Sequence, residues 1–255
     1  MGGMFLIKVL LCGAKGKMGR VLTDLIAQDT NMEVVAGIDS SEKSQFDYPI
    51  FTDFSQCDVK ADVIIDFSHH SIIGDLIDYC VNTGTPAVIC TTGLEESIIK
   101  KIDDSSNKVP LFRSGNMSLG VNLVMDLARK AAKILKNNFD IEIIEKHHKR
   151  KVDAPSGTAY MIAEAINDEL EGSKDYNFGR YGRASKRQNT EIGIHAIRGG
   201  TIVGEHTVIY AGPDEIIEIK HSAMSRKIFA AGAIKAAKFL IDKKNGLYNM
   251  DDILK

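Results

Sequence analysis

The stretch Phe5-Leu-Ile-Lys-Val-Leu-Leu-Cys-Gly-Ala-Lys-Gly-Lys-Met-Gly19 joins an almost unbroken apolar run to three glycines spaced three apart. An apolar run of this length without alternation predicts a strand buried on both faces. Gly13 permits a tight turn after it, Gly16 lets a pyrophosphate approach the backbone, and Gly19 allows a following helix to pack closely on the sheet. The spacing Gly-x-x-Gly-x-x-Gly is one residue off the usual Gly-x-Gly-x-x-Gly dinucleotide fingerprint. The context supports it nonetheless. Residues 20–28 carry helical apolar spacing at Val21, Leu22, Leu25 and Ile26, and residues 32–38 read as a second strand ending at Asp39. A carboxylate there, about twenty residues beyond the loop, can accept ribose hydroxyls.

The alternation continues outward. Strands are predicted over 63–67, 86–90 and 109–113, separated by helical segments over 71–82 and 95–105. Strands alternating with helices imply parallel pairing, so this half reads as α/β, a doubly wound parallel sheet of the Rossmann type. Ligands of such sheets sit beyond the carboxyl ends of the strands. Asp66-Phe67-Ser68, Cys90-Thr91-Thr92-Gly93 and Ser114-Gly115-Asn116-Met117 fall there, and their small or hydroxylated side chains leave room for a nicotinamide ribose. Asp39 repels a 2′-phosphate and favours NAD, whereas Lys17, Ser40, Ser41 and Lys43 can bind one; use of both NADH and NADPH is expected. His69 and His70 begin a helical segment near the expected cofactor edge, without a defined role.

After Asn116 the pattern changes. A long helix is predicted over 119–136, a strand over 140–145, a helix over 159–170, strands over 192–197, 204–211 and 215–221, and a closing helix over 225–242. Residues 172–189 are polar and glycine-bearing and read as a mobile loop. Four strands with helices on one side make a smaller α+β domain with a four-stranded mixed sheet. The expected division is a dinucleotide-binding domain of residues 1–118, completed by 223–255, and a substrate-binding and oligomerisation domain of residues 119–222. The junctions near 116–119 and 222–225 are the expected hinge.

Between the two segments 140–145 and 159–170 lies Glu145-Lys-His-His-Lys-Arg-Lys-Val-Asp-Ala-Pro-Ser-Gly-Thr-Ala159. Adjacent histidines stand beside several cations, and a turn of this type presents backbone N–H groups at a helix start. The set suits an acidic substrate that must be held and protonated. It also suits a solvated basic loop in which Ser156 or Thr158 caps the helix. Glu145 either orients one histidine or pairs with Lys149 or Arg150, and the structural role is favoured. His195, His206 and His221 lie on predicted strands and read as satisfied core or interface residues.

Bulk composition sets the outer limits. The 255 residues are 44% hydrophobic and 26% charged, with a net charge of -2, so nothing pulls the whole chain toward nucleic acid or a membrane. The apolar runs are too short to span a bilayer, and Met1–Phe5 does not resemble a secretory leader. Cys12, Cys57, Cys80 and Cys90 form no Cys-x-x-Cys pair and read as buried thiols of a reducing cytoplasm. No carboxylate–histidine set has metal-ligand spacing, so no metal is expected.

The glycine loop 13–19, Asp66-Phe-Ser68, Thr91-Thr-Gly93, Asn116-Met-Ser-Leu-Gly-Val-Asn122, the 145–159 motif, Glu191-Ile-Gly-Ile-His-Ala196, Arg198-Gly-Gly200, Gly204-Glu-His-Thr207 and Ser225-Arg226 together resemble the 4-hydroxy-tetrahydrodipicolinate reductase family of bacterial lysine biosynthesis, long called dihydrodipicolinate reductases. The resemblance covers nearly the whole chain. It implies that His147 is the proton donor or acceptor, and that Lys151 is the second catalytic residue, which also pairs with a substrate carboxylate. His148, Gly157 and Thr158 match substrate-binding positions. Gly13, Ala14, Lys15, Gly16, Lys17, Met18, Asp39, Cys90, Thr91, Thr92, Ser114, Gly115, Asn116 and Met117 match cofactor positions. The implied cofactor is NADH or NADPH, the substrate a small cyclic dicarboxylate, and the assembly a cytoplasmic homotetramer. Cys90 stands where a glycine is common, and Ser40 where some members carry a phosphate-binding arginine. Competing readings are another nicotinamide enzyme, such as an amino-acid or semialdehyde dehydrogenase, and a non-catalytic nicotinamide sensor. A semialdehyde dehydrogenase needs a nucleophilic cysteine in the second domain, where this chain has none; a sensor has no use for His147, His148 and Lys151 together.

Overall fold

The computed structural model of the protein describes residues 6–42, 46–136 and 138–255. Met1–Phe5 and the candidate phosphate ligand Lys43 lie outside the described residues. The elements in chain order are β1 (Ile7–Cys12), α1 (Lys17–Ile26), β2 (Met32–Ile38), β3 (Ile50–Phe51), β4 (Val63–Asp66), α2 (Ile73–Thr83), β5 (Ala87–Ile89), α3 (Glu96–Ser106) and β6 (Pro110–Arg113). Then come α4 (Leu119–Leu135), β7 (Asp140–His147), α5 (Gly157–Glu169), β8 (Asp175–Phe178), β9 (Glu191–Arg198), β10 (Gly204–Ala211), β11 (Ile216–Ala223), α6 (Lys227–Leu240), β12 (Gly246–Tyr248) and α7 (Met250–Leu254). They form two compact units: the described residues up to Ser118 together with Lys227–Lys255, and Leu119–Arg226.

The first unit is built on a seven-stranded sheet of order β12-β6-β5-β4-β1-β2-β3. Every neighbouring pair in it is parallel. Val9, Leu10, Leu11, Ile64, Ile65, Val88 and Ile89 are wholly buried, as strands covered on both faces require. Five of these strands were anticipated from the sequence. β3 and β12 hold two and three residues, too few to show any period. Helix α6 returns the chain to this unit, and its Gly232 lies so close to Met117 that a Cβ would fall 1.7 Å from the Met117 carbonyl oxygen.

The second unit carries a mixed sheet of five strands, order β11-β10-β7-β9-β8, not four. The additional strand β8 lies inside the polar segment 172–189 that reads as a mobile loop in the sequence. It is an edge strand needing only one partner, β9, and ion pairs tie down the chain that follows it. Arg180 Nη2 reaches Glu142 Oε1 at 3.0 Å and Glu191 Oε1 at 2.7 Å, and Arg187 Nε reaches Glu142 Oε1 at 3.0 Å. Helices α4 and α5 cover one face of the sheet, with Ile141, Ile143, Ile192, Ile194, Val208 and Tyr210 packed against Ala128, Ile162 and Ile166. The Tyr210 hydroxyl donates to the Ala128 carbonyl at 2.6 Å. β7 runs two residues past its predicted end at 145, which puts His147 on a strand rather than in a loop. Among the described residues no helix is long and apolar enough to cross a membrane.

Candidate active site

In the first unit the turn after β1 fits a dinucleotide pyrophosphate. Gly13 has φ of 77°, and a Cβ there would fall 2.5 Å from the Phe67 carbonyl oxygen. A Cβ on Gly19 would fall 2.3 Å from the carbonyl oxygens of Gly13 and Ala14, so the first turn of α1 lies directly on the loop. Gly16 is the N-cap of α1 and makes no side-chain cap. The first-turn N–H groups of Lys17, Met18 and Gly19 therefore have no acceptor within the helix, which is the condition for binding a phosphate. Ala14 is buried beside Gly37 of β2.

Asp39 organises this loop. Its Oδ2 accepts the Lys15 N–H at 2.8 Å, and its Oδ1 accepts the Ser40 N–H at 2.8 Å and the Ser40 hydroxyl at 3.2 Å. A carboxylate oxygen has two acceptor directions, so Oδ2 remains able to take a ribose hydroxyl. The lysine beside this carboxylate is Lys15, whose Nζ bonds the Ser41 hydroxyl and, at 3.4 Å, the Ser41 carbonyl. Gly13, Lys15, Gly16, Asp39 and Ser40 line a cavity of about 560 Å³. Cys90, Thr91 and Thr92 line a smaller one of about 230 Å³, and Phe67, Ser68 and His69 line both. The wholly buried Asp66 joins the strand ends, accepting the Ser68 N–H at 3.0 Å and the Thr91 N–H at 3.2 Å; burial pushes its carboxyl up. The segment 114–117 lines neither cavity. Ser114 Oγ donates to the Asn116 carbonyl at 3.0 Å, and Asn116 Oδ1 accepts the Ser118 N–H at 2.9 Å.

In the second unit the end of β7 carries a buried charged network. Glu145 has no exposed surface. Its Oε2 takes the His147 Nδ1 proton at 2.6 Å and a bond from Arg198 Nη1 at 2.8 Å. Its Oε1 takes Arg198 Nη2 at 2.7 Å and the Ser156 N–H at 3.0 Å. Burial works to raise the Glu145 pKa, but the bonds from Arg198, His147 and Ser156 outweigh it and hold the carboxyl below its ordinary range. The partner is thus Arg198, not the Lys149 or Arg150 suggested by proximity in sequence. Because Nδ1 is committed to Glu145, Nε2 is the nitrogen of His147 left for chemistry. Gly204 faces it, and a Cβ there would stand 3.1 Å from Nε2. Burial, followed by the charges of Lys151 and Arg198, lowers the His147 pKa against the opposing pull of Glu145. His148 is half-buried, and its Nδ1 has no partner among the described residues.

The turn after β7 brings the other candidates together. Lys151 Nζ lies 2.8 Å from Asp153 Oδ1. Ser156 caps α5, whose first residues are Gly157 and Thr158. Ser156 Oγ accepts the Ala159 N–H at 3.2 Å and shares a hydrogen bond with His206 Nε2 at 3.0 Å. The His206 ring meets that of His147 edge-on at 5.2 Å. Burial first, then the neighbouring His147, push its pKa down to about 4. His206 reads in the sequence as a core or interface residue; it is buried, against His147. The unfolded chain takes up this proton first, so stability is full above the ordinary pKa of 6.5 and is lost as pH falls toward about 4. The loss amounts to about 3 kcal/mol. Urea midpoints measured across that range should show it, and His206→Gln should remove most of it.

Comparison with known proteins places these residues in a family. The profile described as "Dihydrodipicolinate reductase, N-terminus" matches residues 7–117, and "Dihydrodipicolinate reductase, C-terminus" matches residues 120–254. The chain belongs to the dihydrodipicolinate reductase family. A 4-hydroxy-tetrahydrodipicolinate reductase of Caldanaerobacter subterraneus subsp. tengcongensis is 50% identical over 250 residues, covering 98% of this chain and 99% of that protein. The protein of the same name from Clostridium novyi is 48% identical, covering 97% and 98%. Among solved structures, dipicolinate-bound dihydrodipicolinate reductase from Paenisporosarcina sp. TG-14 shares the fold, with a TM-score of 0.83 at 24% identity over 98% of this chain and 100% of that one.

Proposed function

We propose that the protein reduces 4-hydroxy-tetrahydrodipicolinate to tetrahydrodipicolinate with NADH or NADPH, in the synthesis of diaminopimelate and lysine. The observation that carries this reading is the Glu145–His147–Arg198 network ending in a free Nε2, with Lys151 and the start of α5 on the turn that follows. A bound reduced nicotinamide supplies hydride to the substrate's conjugated double bond after the 4-hydroxyl leaves as water. Gly13 to Met18 and Asp39 hold the cofactor, and the strand ends 90–92 and 114–117 contribute to its site. Lys151 and the N–H groups of Gly157 and Thr158 each take one carboxylate, with His148 beside them. Holding the ring in this way lowers the barrier by orientation. His147 gives its Nε2 proton to the enamine-like fragment on which negative charge develops.

Cofactor choice follows from two opposed features. Asp39 suits the unsubstituted ribose of NADH, and Lys15 with Ser40 and Ser41 tolerates a 2′-phosphate. We place the enzyme in the cytoplasm as a homotetramer. The sheet face away from α4 and α5 supports this assembly, since Ile216 is 67% exposed and Ile197 46% exposed. Mixing the protein with synthase-generated substrate and following absorbance of the reduced nicotinamide tests the activity. KM values for NADH and NADPH within about tenfold are expected, a difference of about 1.4 kcal/mol at most. Light scattering on the active species should give the mass of four chains. No oxidation of either nucleotide would refute the proposal, and a strong NADPH preference would refute the role given to Asp39.

A further inference from the structure

We infer that Asp153 is an internal counter-ion that occupies the substrate-carboxylate site of the free enzyme and is exchanged for the substrate. The inference rests on the assignment of Lys151 to a substrate carboxylate. Asp153 Oδ1 lies 2.8 Å from Lys151 Nζ, on the turn that leads into α5. Lys151 is one of the donors that the dicarboxylate needs. It holds the Asp153 carboxyl below its ordinary range, so that carboxyl is ionised wherever the enzyme works. It is a charged rival for the site, not a neutral spacer.

The geometry also shows how the exchange proceeds. The main chain of Asp153 is anchored, because Arg198 Nη2 donates to its carbonyl at 2.6 Å. The side chain is 55% exposed against 23% for Lys151. Rotation of one side chain into solvent therefore clears Lys151 without moving the backbone. An exposed ion pair of this kind is weak and yields readily. A tethered carboxylate nevertheless has a high effective concentration at Lys151, which a free single carboxylate does not match. A ligand with a second carboxylate held elsewhere on the turn has the additional attraction needed to displace it. The cost of displacing Asp153 falls on both kinds of ligand, and only a dicarboxylate has attraction to spare; Asp153 thereby sets the level of affinity at the site.

Calorimetric titration of the full chain with NADH present tests this. The probes are pyridine-2,6-dicarboxylate and pyridine-2-carboxylate, and the proteins are wild type, Asp153→Asn and Asp153→Ser. Both variants should bind the diacid about three- to tenfold more tightly, and the gain should shrink as salt rises. The monoacid should gain by a similar factor, since it displaces the same side chain. Unchanged or weaker binding by a variant that melts like wild type makes Asp153 a structural support of the α5 turn and overturns the inference. Asp153→Ser is a second uncharged replacement and decides the question if the Asn protein does not fold. A wild-type protein that binds neither acid, with both variants equally inert, refutes the site assignment itself and the inference with it.

Discussion

Replacing His147 by Gln is expected to lower kcat by about a hundred- to ten-thousand-fold while KM for the dicarboxylate changes only a few-fold. Glutamine keeps a polar side chain of similar reach but has no proton to transfer. Lys151, Gly157 and Thr158, the proposed carboxylate donors, are untouched by the change. The loss therefore falls on the chemical step. The pH dependence gives a second check. Burial, Lys151 and Arg198 lower the His147 pKa below its ordinary 6.5 in the free protein. A proton donor works only when charged, so kcat/KM should fall as pH rises through that lowered value. A bound dianion favours the imidazolium, which raises the pKa in the complex. The kcat limb should then lie at higher pH than the kcat/KM limb, and both should vanish in His147→Gln. A variant that turns over normally, or that loses only affinity, would remove His147 from the chemistry.

What could be read from the chain alone divides along physical lines. The glycine loop was legible because each glycine answers a local steric demand: Gly13 a left-handed turn under Phe67, Gly19 a helix lying on the loop. The buried strands were legible because successive apolar residues such as 9–11 and 63–65 leave no solvent face. β8 was not, because Asp175-Tyr-Asn-Phe178 is a polar edge strand whose place is set by pairing with β9 and by Arg180 and Arg187 reaching Glu142. Glu145 was misjudged for a similar reason. Its neighbours in sequence are Lys149 and Arg150, but β7 and β9 run parallel in register and set Arg198 opposite His147. No local pattern marks an ion pair between residues 53 apart. His206 is hidden in the same way, since β10 pairs it directly with Glu145 across the sheet. The motif around 145–159 names the chemistry and supplies Glu145 to hold its histidine, but Arg198, which pairs with that carboxylate, and His206, which packs on the ring, come from two later strands.

Arg198 is where that hidden support is most exposed to test. Arg198→Met should destabilise the second unit by about 3–5 kcal/mol, because it leaves a wholly buried carboxylate without its cation. Urea unfolding followed by a probe in the second unit measures this. Adding Glu145→Gln should recover a large part of the loss, since the uncompensated charge is then gone. Activity should not recover in parallel. Glu145 raises the His147 pKa and Arg198 lowers it. The single Arg198→Met protein should therefore shift its kcat/KM limb to higher pH, whereas Glu145→Gln alone should shift it to lower pH. The double variant loses the carboxylate that holds Nδ1 and favours the imidazolium, so it should fold better than Arg198→Met while remaining a poor catalyst near neutral pH. Opposite displacements of the limb separate orientation of the proton donor from simple unfolding, which would depress activity in both single variants without moving the limb. An Arg198→Met protein as stable as wild type, with its limb unmoved, would mean that the pair neither secures the strand end nor tunes the histidine.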